Sequence, residues 1–131
     1  MTPIQVTCGI IYKDGKILAA QRSEKMSLPL KWEFPGGKLV GGETEEECLI
    51  REIKEELNII IAIQQRLHPV IHDYGHFTIQ LIPFIATHIS GDLHLLEHKQ
   101  AEWFTPEELE NLDWAPADIP ILQQITPSSQ Q

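Results

Sequence analysis

The sequence predicts an α/β fold, a mixed β-sheet with at least two helices packed on it, and three features point there. The chain has 131 residues, 42% of them apolar, which is enough for one domain with a real core. Apolar runs too short for helices, "IQVTCGIIY", "ILAAQR" and "IIIAIQQRL", recur with turn residues between them. One amphipathic segment, "TEEECLIREIKEELN", carries a helix start signal and a helix stop signal.

Taken in order, residues 4–12 and 17–22 form a β-hairpin about an Asp14-Gly15 turn. Residues 23–31 make a polar loop containing Pro29, and "WEFPGGKLVGGE" is a short extended piece ending in glycines. The helix follows. Thr44 and Glu47 form a T-x-x-E capping box, and Asn58 suits a left-handed C-terminal position. Residues 59–67 are a strand. Residues 76–89, "HFTIQLIPFIATHI", are a longer one, apolar on both faces and therefore buried, in which Pro83 predicts a bulge or an edge position. A turn at Ser90-Gly91-Asp92 leads on to the strand "AEWF". "TPEELENL" then has Thr105 as N-cap and Pro106 at the first helical position. "APADIPILQQI" is a loop entering a C-terminal helix near Ile119. One domain over residues 1–125 is expected, with residues 126–131 as a frayed tail.

The net charge of −9 comes without any basic stripe, so nucleic acid is an unexpected partner. No apolar run reaches membrane-span length and the N-terminus lacks a basic signal-peptide start, so a cytoplasmic location and no membrane partner are expected. Two cysteines, Cys8 and Cys48, are too few for a disulfide framework and read as reduced core residues. A monomer is expected, with a dimer as the alternative.

The acidity is not evenly spread. Seven glutamates fall between Gly36 and Ile59. With about 100° per residue, Glu52, Glu55 and Glu56 share one arc of the helix, while Leu49, Ile50, Ile53 and Leu57 share the neighbouring apolar arc. Arg51 stands at i,i+4 spacing from both Glu47 and Glu55, which offsets some repulsion. A solvated acidic face usually alternates signs, whereas this arc collects one sign beside the apolar seam. Carboxylates at i, i+3 and i+4 on a rigid rod supply the oxygens that hard divalent cations need.

Gly37, Glu43 and "REIKEELNI" resemble the Nudix box, G-x5-E-x7-R-E-U-x-E-E-x-G-U with U aliphatic. Gly37, Glu43, Arg51, Glu52, Glu55 and Glu56 match letter for letter, a coincidence expected about once in ten million starts at average usage. Ile53 and Ile59 fill aliphatic positions, and Asn58 replaces the usual glycine. The resemblance implies a Nudix α/β/α sandwich that hydrolyses a nucleoside diphosphate linked to another group, assisted by Mg2+ or Mn2+. It makes Glu52, Glu55, Glu56 and the Gly36 carbonyl metal ligands, with Glu43 and Arg51 as braces. Glu52 would also take the proton from the attacking water. Lys38 would stabilise the leaving pyrophosphate, or else is a solvated turn lysine.

"WEFPGGK", "EHKQAEWFTPEEL" and "WAPADIPIL" are similar to the MutT-type branch, which converts nucleoside triphosphates to monophosphate and pyrophosphate. That likeness makes Glu97 a further metal carboxylate, Arg22 a substrate contact, Phe34 a base-packing ring and Asp118 the reader of the base edge. For each a plainer reading stays open: a rim acid, a surface ion pair, a core ring, and an N-cap for the C-terminal helix. An ionised Asp118 only accepts hydrogen bonds, which suits a cytosine amino group or an N–H that oxidation adds to a purine. Substrates expected first are 8-oxo-dGTP and CTP or 5-methyl-dCTP. A non-catalytic Nudix domain that senses a nucleotide or partner is the rival, as is action on another nucleoside diphosphate derivative. His72 and His76 have H-x3-H spacing, but a turn signal separates them and no third zinc ligand is evident.

Overall fold

The computed structural model describes residues 2–125. The expected frayed tail, residues 126–131, lies outside the described residues. β1 (Ile4–Lys13) and β2 (Lys16–Gln21) form the anticipated hairpin, with Asp14 and Gly15 both at positive φ, 52° and 79°. That pair of left-handed residues twists with the strands, which is why Asp-Gly serves there. Two short strands, β3 (Trp32–Glu33) and β4 (Gly36–Lys38), come from the extended piece. Helix α1 (Glu45–Leu57) is followed by β5 (Ile60–Arg66), β6 (Val70–Asp73), β7 (Thr78–Ser90) and β8 (Gln100–Phe104). Helices α2 (Pro106–Leu109) and α3 (Ile119–Ile125) close the described chain, with a 3-10 turn at Pro116–Asp118 between them.

Among the described residues the eight strands make one mixed sheet, in the order β3-β2-β1-β7-β5, with β4 on β1, β6 on β7 and β8 on β2. β1 and β7 run parallel over nine paired residues, from Ile4 opposite Ile79 to Tyr12 opposite Thr87. The other pairings are antiparallel. Alternation along these strands builds two cores. Ile11, Leu18, Ile82, Phe84 and Ala86 face α1, whose Leu49, Ile53 and Leu57 are fully buried against them. Cys8, Ile10, Ile17, Ala19 and Leu81 face Leu109, Ile121 and Leu122 of α2 and α3. The result is a sheet covered by helices on both faces, the expected sandwich. Each buried leucine or isoleucine of α1 contributes about 1.5–3 kcal/mol. That burial fixes which side of the helix is left for the glutamates.

Both α1 signals operate as the sequence indicates. Thr44 Oγ1 accepts from the Glu47 N–H at 3.0 Å and Glu47 accepts from the Thr44 N–H at 2.9 Å. Asn58 ends the helix at φ 65°, ψ 30°, the conformation for which glycine is usual. Because Glu47 is committed to the cap, only Glu55 of the two i,i+4 partners pairs with Arg51, at 3.1 Å. Pro83 departs from the expectation of a bulge or edge. It lies inside the sheet with Cys8 beside it on β1. Its carbonyl accepts from the Leu67 N–H at 2.9 Å, so its missing N–H faces the junction where β7 changes partner from β6 to β5. No ladder bond is lost there, which makes proline tolerable in a central strand.

Candidate active site

Two glycines let the backbone and α1 meet. β4 pairs with β1 through Thr7 opposite Gly37 and Cys8 opposite Gly36. A Cβ on Gly36 would overlap the Thr7 carbonyl oxygen, and one on Gly37 would overlap the carboxyl carbon of Glu52. Glu52 therefore lies flat over the glycine strand, which only a residue without a side chain permits.

Behind it, Arg51 locks the loop before the helix. Its Nη2 and Nε donate to Oε1 and Oε2 of Glu43 at 2.8 and 3.0 Å, a bidentate fork. Glu43 Oε1 also accepts from the Val40 N–H at 3.0 Å. The guanidinium bonds hold the Glu43 carboxyl down at about 2. The same contacts push Arg51 above its already high value. The third nitrogen, Nη1, reaches Glu52 at 3.0 Å and Glu55 at 3.1 Å.

The glycine strand and α1 border a cleft of about 450 Å3. Gly36, Gly37, Lys38, Glu52, Glu56 and Glu97 form one set of its lining residues, and Phe34, Tyr74, Phe77, Ile79, Leu81 and Asp118 another. Arg22, Glu33, His98 and Met26–Leu28 also line it. The structure thus brings together eight of the eleven predicted site residues. Glu43 and Arg51 stand behind the wall as braces. Glu55, with a 55% exposed side chain, lies instead by a shallow depression formed with Asn58 and His94.

Glu56 carries the electrostatic signature of the site. Burial raises its pKa first, the nearby Glu97 second, with Glu52 and Glu55 adding to the rise and His98 opposing it. Crowded, partly desolvated carboxylates of this kind fit a hard dication, which would lower that value by neutralising the cluster. Among the described residues no three acidic, histidine or cysteine side chains stand in a metal-holding arrangement. Arg51 engages Glu52 and Glu55. Magnesium, which keeps most of its water, needs only one or two carboxylates at a time, so the donor set still fits.

Phe34 is buried, 3% exposed, and its ring lies 4.6 Å from that of Trp114. It combines the core role and the cleft role. Asp118 is buried too, and its Oδ2 accepts from the Phe34 N–H at 2.9 Å. That bond ties the carboxylate to the backbone between β3 and β4. Burial, then the charge of Glu33, pushes the Asp118 carboxyl well above its ordinary range.

Arg22 donates to Glu33 at 2.7 Å and to Ser27 through Nε at 2.6 Å and Nη2 at 3.0 Å. Glu33 and His98, joined at 2.7 Å, escape the sequence reading because 65 residues separate them. Tyr74 escapes it because it falls in the turn before the predicted strand of residues 76–89, and Phe77 and Ile79 because that strand reads as core with no sign of a cleft. His72 stacks on Tyr74 at 4.4 Å, which gives that histidine a packing role.

The NUDIX domain family profile matches residues 6–124. The CTP pyrophosphohydrolase of Escherichia coli (strain K12) is 36% identical over 123 residues, covering 94% of this chain and 91% of that one. The putative 8-oxo-dGTP diphosphatase 2 of Mycobacterium tuberculosis (strain CDC 1551 / Oshkosh) is 34% identical over 116 residues, 86% and 81% of the two chains. Among solved structures, the DNA mismatch repair protein MutT of methicillin-resistant Staphylococcus aureus 252 is 45% identical. It superposes with a TM-score of 0.77, covering 97% of this chain and 98% of that one. With a family match across nearly the whole sheet and relatives of MutT type on either side of the base question, the chain belongs to the Nudix hydrolases.

Proposed function

We propose that residues 1–125 act as one domain that hydrolyses nucleoside triphosphates to the monophosphate and pyrophosphate with Mg2+ or Mn2+. Oxidised or modified nucleotides are the preferred substrates, 8-oxo-dGTP and CTP or 5-methyl-dCTP first, so that the enzyme cleans the precursor pool. The observation that carries the reading is one cleft in which an acidic wall, Glu52, Glu56 and Glu97, shares the lining with Phe34 and Asp118. The relatives named above bracket the same two substrate classes.

The chain's own residues divide the work. Glu52, Glu56, Glu97 and the Gly36 carbonyl would hold the dication, with Glu55 as a further ligand. Bound there, the dication would neutralise phosphate charge and make water a better nucleophile. Glu52 keeps one carboxylate oxygen on Arg51 and takes the proton of the attacking water with the other. Lys38, at the end of β4 in the cleft wall, meets charge developing on the leaving pyrophosphate. Phe34 packs the base, and Asp118, fixed by the Phe34 amide, reads its edge. A cytoplasmic location is in keeping with the described helices, none of which is long and apolar enough to cross a membrane.

A panel of normal, oxidised and methylated nucleoside triphosphates with magnesium, read for pyrophosphate against phosphate, tests this. Pyrophosphate release on at least one modified nucleotide, lost in Glu52→Gln, is the expected result. Near-zero turnover across the panel for both proteins would favour the rival, a Nudix domain that only senses a nucleotide.

A further inference from the structure

We propose that His98 is a positioning residue which, through Glu33 and Arg22, latches the loop of residues 23–31 against the cleft. The chain of contacts is continuous. A carboxylate oxygen only accepts, so His98 Nε2 carries the hydrogen it shares with Glu33 Oε2 at 2.7 Å. The other oxygen, Oε1, takes Arg22 Nη1 at 2.7 Å. Arg22 also donates twice to Ser27, Nε to the carbonyl at 2.6 Å and Nη2 to the hydroxyl at 3.0 Å. Ser27 and its neighbours Met26 and Leu28 line the cleft.

Two independent features show that the loop needs such a hold. Leu28 and Leu30, on either side of Pro29, sit at φ 49° and 64°, a left-handed region that a leucine enters only at a cost. A backbone in that state persists only when its surroundings impose it. At the other end of the chain of contacts, the His98 side chain is 5% exposed. Its Nδ1 is the one fully buried side-chain nitrogen or oxygen among the described residues with no hydrogen-bond partner. A histidine used only to fill space would not be retained at that penalty, because an orphaned buried polar atom is destabilising. Nε2 is the atom that matters, and the backbone fixes it: Lys99 N–H donates to the Gln21 carbonyl at 2.9 Å and β8 pairs with β2 immediately afterwards. Glu33 is tied to the same strand through Ala20. The latch is thus built on the sheet while the segment it holds is a loop.

The kinetic part of the test rests on the triphosphate reading above, and the exchange part does not. In His98→Ala, amide hydrogen exchange across residues 24–30 should accelerate about tenfold, the scale expected for losing one charge-assisted hydrogen bond. The KM for the nucleotide should rise by a similar factor, with kcat within about twofold of wild type. His98→Gln, whose amide can reach the same Glu33 oxygen, should restore both. Glu33→Gln keeps the side-chain shape and gives the same readouts if His98→Ala does not fold. Unchanged loop exchange in folded His98→Ala or Glu33→Gln would overturn the latch, as would a loss of Mn2+ affinity with the loop undisturbed, which would mean that His98 acts through Glu97. Faster loop exchange in a protein that turns over no nucleotide would support the latch and contradict the substrate reading.

Discussion

Arg51 holds Glu43 with a two-pronged fork, at 2.8 and 3.0 Å, and with its third nitrogen touches Glu52 and Glu55. One guanidinium thus ties the loop before α1 to the carboxylates that the helix presents. Two features of the box, the early glutamate and the arginine, are explained as a brace for the acidic residues. Glu43→Gln keeps the shape and removes the charge-assisted fork. Turnover should fall about tenfold, and hydrogen exchange over residues 39–44 should quicken. Arg51→Lys should cost as much, because an ammonium cannot form the fork.

The carboxyl of Glu43 remains ionised to about pH 2, since the Arg51 hydrogen bonds favour the charged form. A carboxylate depressed in the folded state stabilises the fold above its unfolded pKa. That contribution is lost as pH falls through the window between the ordinary glutamate value and about 2. Acid unfolding monitored by circular dichroism should therefore begin at higher pH in Glu43→Gln than in wild type.

Gly37→Ala places a methyl where the Glu52 carboxyl lies. The collision is with the end of a side chain, so the fold should survive while Glu52 moves. Misplacing a catalytic group by about 1 Å costs on the order of a hundredfold, and kcat should fall by that much with little change in Tm. A full-rate Gly37→Ala enzyme would remove Glu52 from the chemistry.

Glu56 tests the cation site through protons. Its carboxyl is raised by burial and by Glu97, so it holds a proton at higher pH than an ordinary glutamate. A dication needs the deprotonated form. Calorimetric Mn2+ titrations should show affinity growing as pH rises through the Glu56 transition, with protons released on binding below it. Glu56→Gln should weaken binding and flatten the pH dependence. Equal affinity at all pH values in wild type would contradict the site.

Asp118 lines the cleft and is fixed by the Phe34 amide, which donates to its Oδ2 at 2.9 Å. Asp118→Asn, which adds a donor, should shift preference among bases while leaving turnover mostly intact, whereas Asp118→Ala should lower kcat/KM about ten- to hundredfold for the preferred base and less for others. Equal loss on every base in Asp118→Ala would assign the residue to structure alone.

What the sequence reveals and what it hides follow one physical division. Chemistry that acts within a few residues is legible: the Thr44–Glu47 box, the Asp14-Gly15 turn and the left-handed Asn58 all formed as read. The helical spacing that groups Glu52 with Glu56 is equally local. Long-range pairing is not. Pro83 looks like an edge residue until the change of partner from β6 to β5 is seen. Short strands such as β4 and β6 have no period of their own and exist through the neighbours they pair with. Asp118 reads as a helix cap because its partner, the Phe34 amide, is 84 residues away. The Glu33–His98 pair is hidden for the same reason.

The central claim is that the acidic wall of the cleft holds dications against a triphosphate. Anomalous scattering from a crystal grown with Mn2+ and a non-hydrolysable nucleoside triphosphate measures it directly. Manganese peaks are expected between Glu52, Glu56 and Glu97 on one side and the phosphates on the other. Nucleotide phosphates seated in the cleft with no manganese at those carboxylates would contradict it.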